Sequence, residues 1–270
     1  MITNGINFKN FLINKKSKQI TIILNQILNK KNQVIQSLSS NYKDSFNIKI
    51  LNKYKKFKNF RVIGIGGSSL GTEAIYNFLR KKIKKNFSFI NDLDFTTENK
   101  KDKNCLNLVV SKSGETLETI VNSNIIINKK DENLIITENK DNYLYKLAQK
   151  LKAQVIHHNN FIGGRYSVLS ETGMLPAQLM GLDSKKFRQL NNLVKNKKYL
   201  NALISNVSSI IFFIKKKKYN SIIINYDKSS ENLFFWYQQL IAESLGKKKK
   251  GLLPIVSSMP KDNHSVMQLY

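Results

Sequence analysis

The feature that most constrains this chain is an alternation of short apolar runs with helical stretches between residues 61 and 158. Helical stretches fall near 70–82, 115–128 and 142–151, between most of the apolar runs. These runs are short enough to be buried strands and read RVIGIGG, FSFINDL, LNLVVS, NLIITEN and QVIHH. Strands that alternate with helices predict a parallel five-stranded sheet covered on both faces, which is a three-layer αβα sandwich of the α/β class.

The remaining sequence flanks this sheet domain, which we assign to residues 59–160. Residues 1–58 predict an N-terminal helical segment that packs onto the main domain, with one apolar face made of Ile20, Ile23, Leu24, Ile27 and Leu28. Residues 161–219 carry no strand signal and predict a helical connection. The next strand signal is SIIINYD at residues 221–227.

Residues 220–270 predict the beginning of a second domain of the same kind. SIIINYD and LLPIVSS read as strands, and a helix at 231–245 is expected to stop at Gly246 as its C′ residue. Asp262 or Asn263 resembles the N-cap of a further helix, with Val266, Leu269 and Tyr270 at helical spacing. Two strands cannot form an independent two-faced sheet, so this domain is predicted to be incomplete.

The net charge of +27 invites a nucleic-acid interpretation, but the type of basic residue argues against it. Only four of the 45 basic residues are arginine, whereas nucleic-acid surfaces usually favour arginine for its planar, bidentate fork. Cys105 is the single cysteine, which excludes an internal disulfide framework and a cysteine-rich zinc site. No apolar run approaches 18 residues, and the N-terminus is too broken for a signal peptide. We therefore expect a soluble cytoplasmic protein that binds neither nucleic acid nor membrane.

Two strand-to-helix turns carry candidate anion-binding groups. In VIGIGGSSLG, Gly64, Gly66 and Gly67 allow a tight turn close to a ligand. The segment matches neither the dinucleotide-binding pattern nor a nucleotide P-loop. A tight turn without a ligand therefore remains an alternative interpretation. In VVSKSGETLET, the hydroxyls of Ser111, Ser113 and Thr116 surround a helix start and suit a phosphate. Helix capping does not account for all three hydroxyls, because the capping-box spacing is not met.

A third block, FIGGRYSVLSETGMLP, presents Arg165 after two glycines. A fixed guanidinium can stabilise an oxyanion or clamp a carboxylate, and a structural salt bridge is the ordinary alternative. Taken alone, Glu243 reads as a surface residue near a helix end and His264 as a first-turn helix residue. His157 and His158 are interpreted as structural.

IGIGGSSLG, SKSGETLET and GGRYSVLSETGMLP, in this order and spacing, resemble the phosphoglucose isomerase family, with its sugar-isomerase domains. FWYQQLIAESLGKKKKG and DNHSVMQLY resemble the second half of the family's shorter bacterial form, so the likeness covers roughly residues 60–270. Thr72 stands where the family often has Pro, and Glu115 where Thr is common. Neither departure touches a position expected to carry chemistry.

The resemblance implies isomerisation of glucose 6-phosphate and fructose 6-phosphate without a metal or other cofactor. Glu243 would move the proton between C2 and C1, Arg165 would stabilise the cis-enediolate, and His264 would assist ring opening from the partner subunit of a homodimer. The substrate would be held by groups at both turns, namely Gly67, Ser68, Ser111, Lys112, Ser113, Thr116 and Glu118.

Two other classes of function remain at this stage, a non-catalytic sugar-phosphate-binding module and a basic nucleic-acid-binding protein. A sensor needs only the phosphate cradle, so Glu243 beside Arg165 and His264 favours the enzyme. Because the family's C-terminal part would supply further strands and a lysine, we expect residues 1–270 alone to bind sugar phosphate weakly, with little or no isomerisation.

Overall fold

The computed structural model describes residues 17–30, 32–93, 104–247 and 251–270. Its strands are Asn59–Ile63 (β1), Asn86–Ile90 (β2), Cys105–Val110 (β3), Glu132–Glu138 (β4), Gln154–His158 (β5), Asn220–Asn225 (β6) and Leu253–Ser258 (β7). Its α-helices are Lys18–Asn29 (α1), Gln33–Ser37 (α2), Ile48–Tyr54 (α3), Leu70–Phe78 (α4), Leu117–Ile126 (α5), Tyr143–Leu151 (α6), Glu171–Leu179 (α7), Leu190–Leu193 (α8), Lys197–Lys215 (α9) and Glu231–Leu245 (α10). Over these ranges, no helix is both long enough and apolar enough to cross a membrane.

The predicted five-stranded parallel sheet is confirmed. Its strand order is β2-β1-β3-β4-β5, and every neighbouring pair runs in parallel. All five apolar runs form strands within a few residues of the predicted bounds. The central strands β3 and β4 are buried on both faces, whereas the edge strands β2 and β5 also carry exposed residues.

Alternation along the strands divides the core into two layers. On one face, Leu106, Leu108 and Val110 of β3 belong to a core that also contains residues of α3, α4 and α7. On the other face, Val109 packs with Leu144 of α6 and with residues at the end of α5. The sheet therefore lies between two helical layers, as the three-layer sandwich requires.

A second sheet in the described residues pairs β6 with β7 in parallel. It packs against α10, which also contacts α4 of the first layer. The helix at 231–245 is confirmed, but Gly246 is not left-handed, since its φ is −73°. A side chain there would put Cβ 2.4 Å from the Ala242 carbonyl oxygen, so close approach explains the glycine. The division into domains at 58, 160 and 219 stays a prediction.

The helix predicted from Asp262 or Asn263 is wrong. Residues Lys261–His264 and Val266–Leu269 form two separate 3-10 turns. The Asp262 carboxylate accepts a hydrogen bond from the Ser258 backbone N–H at 2.9 Å, so it caps the end of β7 and does not start a helix.

The N-terminal segment differs partly from its prediction. Helix α1 contacts α9, and the Ser17 backbone N–H donates to Ser208 Oγ at 3.4 Å. None of the α1 residues is fully buried, and Ile27 is 43% exposed. Residues 1–16 and 31 of the predicted segment lie outside the described residues. From this part of the chain, α3 and the residues on either side of it bring apolar side chains into the main core, namely Phe46, Leu51, Tyr54 and Phe57.

The surroundings of His158 support the prediction that it is a structural residue. It is 3% exposed; its Nε2 lies 3.0 Å from the Ile162 carbonyl oxygen and its Nδ1 lies 3.2 Å from Thr172 Oγ1. Burial lowers the pKa of His158, and this outweighs the opposing effects of that carbonyl and of the Glu171 carboxylate.

This lowered pKa predicts a pH effect on stability. The unfolded chain binds the proton more readily than the folded one, so stability is complete above the ordinary histidine pKa of about 6.5 and is lost as the pH falls below it. His158→Gln should therefore lose less melting temperature between about pH 7 and 5.5 than the wild type does. Equal losses in calorimetric scans of the two proteins would contradict this assignment.

Candidate active site

The candidate site lies where the chain leaves the carboxyl ends of β1 and β3. These strands are neighbours, but β1 connects through α4 to β2 on one side of the sheet, whereas β3 connects through α5 to β4 on the other. Open α/β sheets bind ligands at such a switch point. The two strand ends are in close contact, since a Cβ on Gly64 would lie 2.7 Å from the Val110 carbonyl oxygen.

The glycine turn after β1 packs directly on the turn that carries Arg165. A Cβ on Gly67 would lie 2.3 Å from the Gly164 carbonyl carbon and 2.6 Å from the Arg165 backbone nitrogen. Gly66 has a φ of +56°, and Ser167 Oγ donates to the Gly67 carbonyl oxygen at 3.3 Å. The glycines are thus required because they let the two backbones pack against each other. This packing favours a ligand cradle over a plain turn only if Arg165 is itself part of the site.

The hydroxyl turn after β3 is tied together internally. Ser111 Oγ and Thr116 Oγ1 are 2.9 Å apart, and Ser111 Oγ also accepts from the Gly114 N–H at 3.2 Å. Ser113 Oγ accepts from the Glu115 N–H at 3.2 Å. Thr116 is the N-cap residue of α5, yet its side chain makes no capping hydrogen bond. Helix capping therefore does not account for the Thr116 hydroxyl, which bonds Ser111 instead.

Both departures from the family pattern have structural roles. The Glu115 carboxylate accepts from the Tyr143 N–H at 2.8 Å, at the start of α6. Thr72 is buried and its hydroxyl donates to the Thr172 carbonyl oxygen at 3.2 Å, which ties α4 to α7. Neither side chain is part of the hydroxyl turn's hydrogen bonds.

The ammonium of Lys112 is already engaged. It lies 3.3 Å from Glu138 Oε1 and donates to the Asn160 carbonyl oxygen at 2.8 Å. Burial of Glu138 alone would raise its pKa, but the Lys140 and Lys112 ammonium groups outweigh burial and hold the pKa below its usual value. Lys112 would have to leave this ion pair before its ammonium could reach a phosphate.

Arg165 and Glu243 come together although they are 78 residues apart. Arg165 Nη1 donates to Glu243 Oε1 at 2.8 Å, and the two side chains are 18% and 50% exposed. Arg165 lies in the 3-10 turn Gly164–Leu169, and Glu243 in the last turns of α10. The fold thus places a carboxylate and a guanidinium against the glycine turn after β1.

Three neighbours of this pair were not predicted from the sequence. Ser244 Oγ accepts from Arg165 Nε at 2.9 Å and lies 2.8 Å from the Tyr166 hydroxyl. Gln239 Nε2 donates to Glu243 Oε2 at 3.3 Å. Gln239 precedes Glu243 by one helical turn, so the spacing of four residues was an available signal.

The electrostatics of this cluster follow from its contacts. Burial lowers the pKa of Arg165, but Tyr166 and the Glu243 carboxylate outweigh burial and raise it above its ordinary value. For Tyr166, burial alone would raise the pKa. The hydrogen bonds with Ser244 and Arg165 outweigh burial, so the pKa of Tyr166 is lowered. The guanidinium also stacks on the Tyr166 ring, 4.6 Å from its centroid.

The remaining predicted site residues are not joined to this pair. His264 is exposed in the 3-10 turn after β7, and Glu118 is half-buried in the first turn of α5. Within the described ranges, neither makes a hydrogen bond or ion pair with Arg165 or Glu243. Ser68 lies at the end of the glycine turn, where its N–H donates to the Ile65 carbonyl oxygen at 3.2 Å.

An apolar cavity of about 540 Å³ has Arg165 among its lining residues. Its walls come from α2, α4, α10 and the turn that carries Arg165, and they include Val168, Trp236 and Leu240. Such walls offer almost no hydrogen-bonding groups for sugar hydroxyls, so this cavity is a poor candidate for a sugar-phosphate site.

Comparison with known proteins identifies the fold and then the family. A hypothetical protein, TT0462, from Thermus thermophilus superposes with a TM-score of 0.74 at 21% identity, covering 93% of this chain and 66% of that one. The tagatose-6-phosphate ketose/aldose isomerase of Escherichia coli superposes with a TM-score of 0.53 at 17% identity, covering 82% and 63%. The chain therefore has an α/β fold of the class found in phosphosugar isomerases.

The sequence comparisons are more specific. Residues 9–253 match the family described as phosphoglucose isomerase. The chain is 34% identical over 240 residues to the glucose-6-phosphate isomerase of Methanocaldococcus jannaschii, covering 82% of this chain and 59% of that protein. It is 33% identical over 257 residues to that of Mycoplasma genitalium, covering 83% and 59%. The chain belongs to the phosphoglucose isomerase family, and it spans about 59% of the length of these two relatives.

Proposed function

We propose that this protein catalyses the reversible aldose–ketose isomerisation of glucose 6-phosphate and fructose 6-phosphate through a cis-enediolate. The observation that carries the proposal is the hydrogen-bonded pair of Arg165 and Glu243, in which the Arg165 backbone packs on the glycine turn at the switch point of the sheet. Membership of the family and the likeness to two glucose-6-phosphate isomerases support the same reaction.

In this reaction Glu243 takes the proton from one carbon and returns it to the other. The carbonyl of the open-chain sugar acidifies the neighbouring C–H, so one positioned carboxylate can serve both directions. Half of the Glu243 side chain is exposed, so a substrate can reach it. Arg165 stabilises the negative charge that develops on the enediolate oxygen.

The hydroxyl turn and the glycine turn hold the phosphate in this proposal. Ser111, Ser113 and Thr116 supply hydroxyls, while Gly67 supplies a backbone amide and Ser68 a further hydroxyl close to the start of α4. Lys112 and Glu118 complete the proposed substrate-binding set, Lys112 after release from Glu138. The Ser111 and Thr116 hydroxyls now bond one another, and each can turn toward an oxygen of the ligand.

We further propose a cytoplasmic homodimer that works in glycolysis and gluconeogenesis, in which His264 of one subunit assists ring opening in the other. The exposure of His264 and its separation from the Arg165–Glu243 pair are compatible with a role across an interface. The alternative of a non-catalytic sugar-phosphate-binding module is less favoured, because such a module needs no carboxylate beside Arg165.

The proposed activity is tested by coupling fructose 6-phosphate formation to a detectable second reaction and by following exchange of the substrate C2 hydrogen with deuterated solvent. Isomerase turnover together with exchange is the expected result where the family's C-terminal part is present, whereas residues 1–270 alone are expected to give little or none. Sugar-phosphate binding without either signal, with that part present, would support the non-catalytic module instead.

Replacing Ser111, Ser113 and Thr116 together with alanine should weaken binding of 6-phosphogluconate by about 100-fold. We expect a net contribution of roughly 1 kcal/mol or more from each hydroxyl, which gives about 3 kcal/mol in total and about 100-fold in affinity. Titration calorimetry measures the change. Ser88→Ala is the control, since Ser88 is an exposed hydroxyl on β2, far from the turn in sequence. Equal affinities for the triple variant and the control would remove these hydroxyls from the site.

A further inference from the structure

The side chain of Arg165 is held by two neighbouring residues of one helix. Nη1 donates to Glu243 Oε1 at 2.8 Å, and Nε donates to Ser244 Oγ at 2.9 Å. Nη2 takes part in neither bond. The two contacts differ in kind, because Glu243 is a proposed reacting group and Ser244 is not.

We propose that Ser244 is a positioning residue that holds the Arg165 guanidinium in the orientation needed for enediolate stabilisation. The proposal rests on the proposed function, in which Arg165 acts on the developing oxyanion. A serine side chain on a helix has one rotatable bond before its oxygen, so its acceptor is fixed in space more tightly than the half-exposed carboxylate of Glu243.

Tyr166 makes the arrangement more rigid. Its hydroxyl is 2.8 Å from Ser244 Oγ, and its ring lies under the guanidinium at 4.6 Å. The Tyr166 ring thus contacts one face of the Arg165 guanidinium. Nε is held by the Ser244 oxygen, which also bonds the Tyr166 hydroxyl. The lowered pKa of Tyr166, which Ser244 and Arg165 cause against the effect of burial, is consistent with this closed triangle of contacts.

The Ser244 contact can persist unchanged through turnover, whereas the Glu243 contact weakens when the carboxylate is protonated. When Glu243 takes a proton from the substrate, its carboxylate no longer offers Arg165 the same charged acceptor. The bond from Nε to Ser244 does not depend on that proton. We therefore assign to Ser244 the task of keeping the guanidinium plane in place while Nη1 and Nη2 face the substrate oxygen.

Ser244→Ala should lower kcat by about 10-fold or more, while KM and the affinity for 6-phosphogluconate change less than 2-fold. The melting temperature should stay within about 2 °C of the wild type. A sugar-phosphate hydroxamate, which carries charge where the enediolate oxygen would lie, should lose affinity by the same factor as kcat. Ser244→Thr keeps the oxygen and should restore most of the activity, and Ser229→Ala controls for loss of an exposed hydroxyl that bonds Asp227.

A measurement without turnover tests the positioning itself. The Arg165 Nε–H signal in nitrogen-15 NMR spectra should be shifted and slow to exchange in the wild type and in Ser244→Thr, and fast to exchange in Ser244→Ala. Unchanged kcat in a folded Ser244→Ala variant, or an unchanged Nε–H signal, would overturn the inference. Absence of isomerase activity when the family's C-terminal part is present would refute the proposed function instead, and the NMR comparison would then decide the positioning role alone.

Discussion

Replacing Glu243 with glutamine is expected to lower the turnover number by about 10²-fold or more, with much less change in sugar-phosphate affinity. Glutamine keeps the size and one hydrogen-bond acceptor for Arg165 Nη1, so the 2.8 Å contact can survive in part. What is lost is the basicity that proton transfer between C2 and C1 requires. The coupled assay measures turnover, and proton NMR in deuterated water measures exchange of the C2 hydrogen.

The control for this variant is Glu132→Gln. Glu132 opens β4 at the amino edge of the sheet, opposite the site, and forms an exposed ion pair with Lys53 at 3.8 Å. Such a pair contributes little to stability, so activity should be unaffected. Wild-type exchange of the C2 hydrogen in Glu243→Gln would mean that another group is the base.

Replacing Gly67 with alanine is expected to damage both the fold and the activity. The new Cβ would lie 2.3 Å from the carbonyl carbon and 2.5 Å from the carbonyl oxygen of Gly164, and 2.6 Å from the Arg165 nitrogen. These are backbone atoms, so no side-chain rotation relieves the overlap and the two turns must separate. We expect a loss of about 1–3 kcal/mol of stability. Displacing Arg165 by about 1 Å should also lower kcat by about 10²-fold.

Gly163→Ala is the matched control for Gly67→Ala. It adds the same methyl group to the neighbouring turn, but the nearest atom is 3.5 Å away, on the Tyr166 ring, which is an ordinary contact. Its melting temperature should stay close to that of the wild type in calorimetry. If Gly67→Ala matched this control in melting temperature and kept wild-type turnover, the packing of the two turns would not be what positions Arg165.

The first sheet was predictable because its signals are local. Each strand from β1 to β5 is a short apolar run, and the helices between them have polar starts such as Asn142, whose side chain accepts from the Tyr145 N–H at 2.9 Å. The last residues were predicted wrongly because Asp262 resembles an N-cap in sequence. In the folded chain its carboxylate bonds the end of β7 instead, a choice that depends on tertiary structure.

The site was predictable to the extent that it rests on motifs. The family resemblance named Arg165 and Glu243, and the fold brings them within hydrogen-bonding distance. Ser244 and Tyr166 were missed because a serine after a glutamate and a tyrosine after an arginine carry no distinct local signal. Their contacts exist only because α10 packs against the turn at Gly164–Leu169. The engagement of Lys112 by Glu138 also depends on strand pairing that brings β3 beside β4.

The ion pair between Arg165 and Glu243 has a bearing on the order of events in the proposed reaction. While the site is empty, Arg165 Nη1 bonds Glu243 Oε1, so a carboxylate oxygen that could take the proton is already engaged. An oxygen of the entering sugar competes for the same guanidinium, and when it wins, that carboxylate oxygen is released toward the substrate. The empty site thus keeps its base engaged, and the substrate itself frees it.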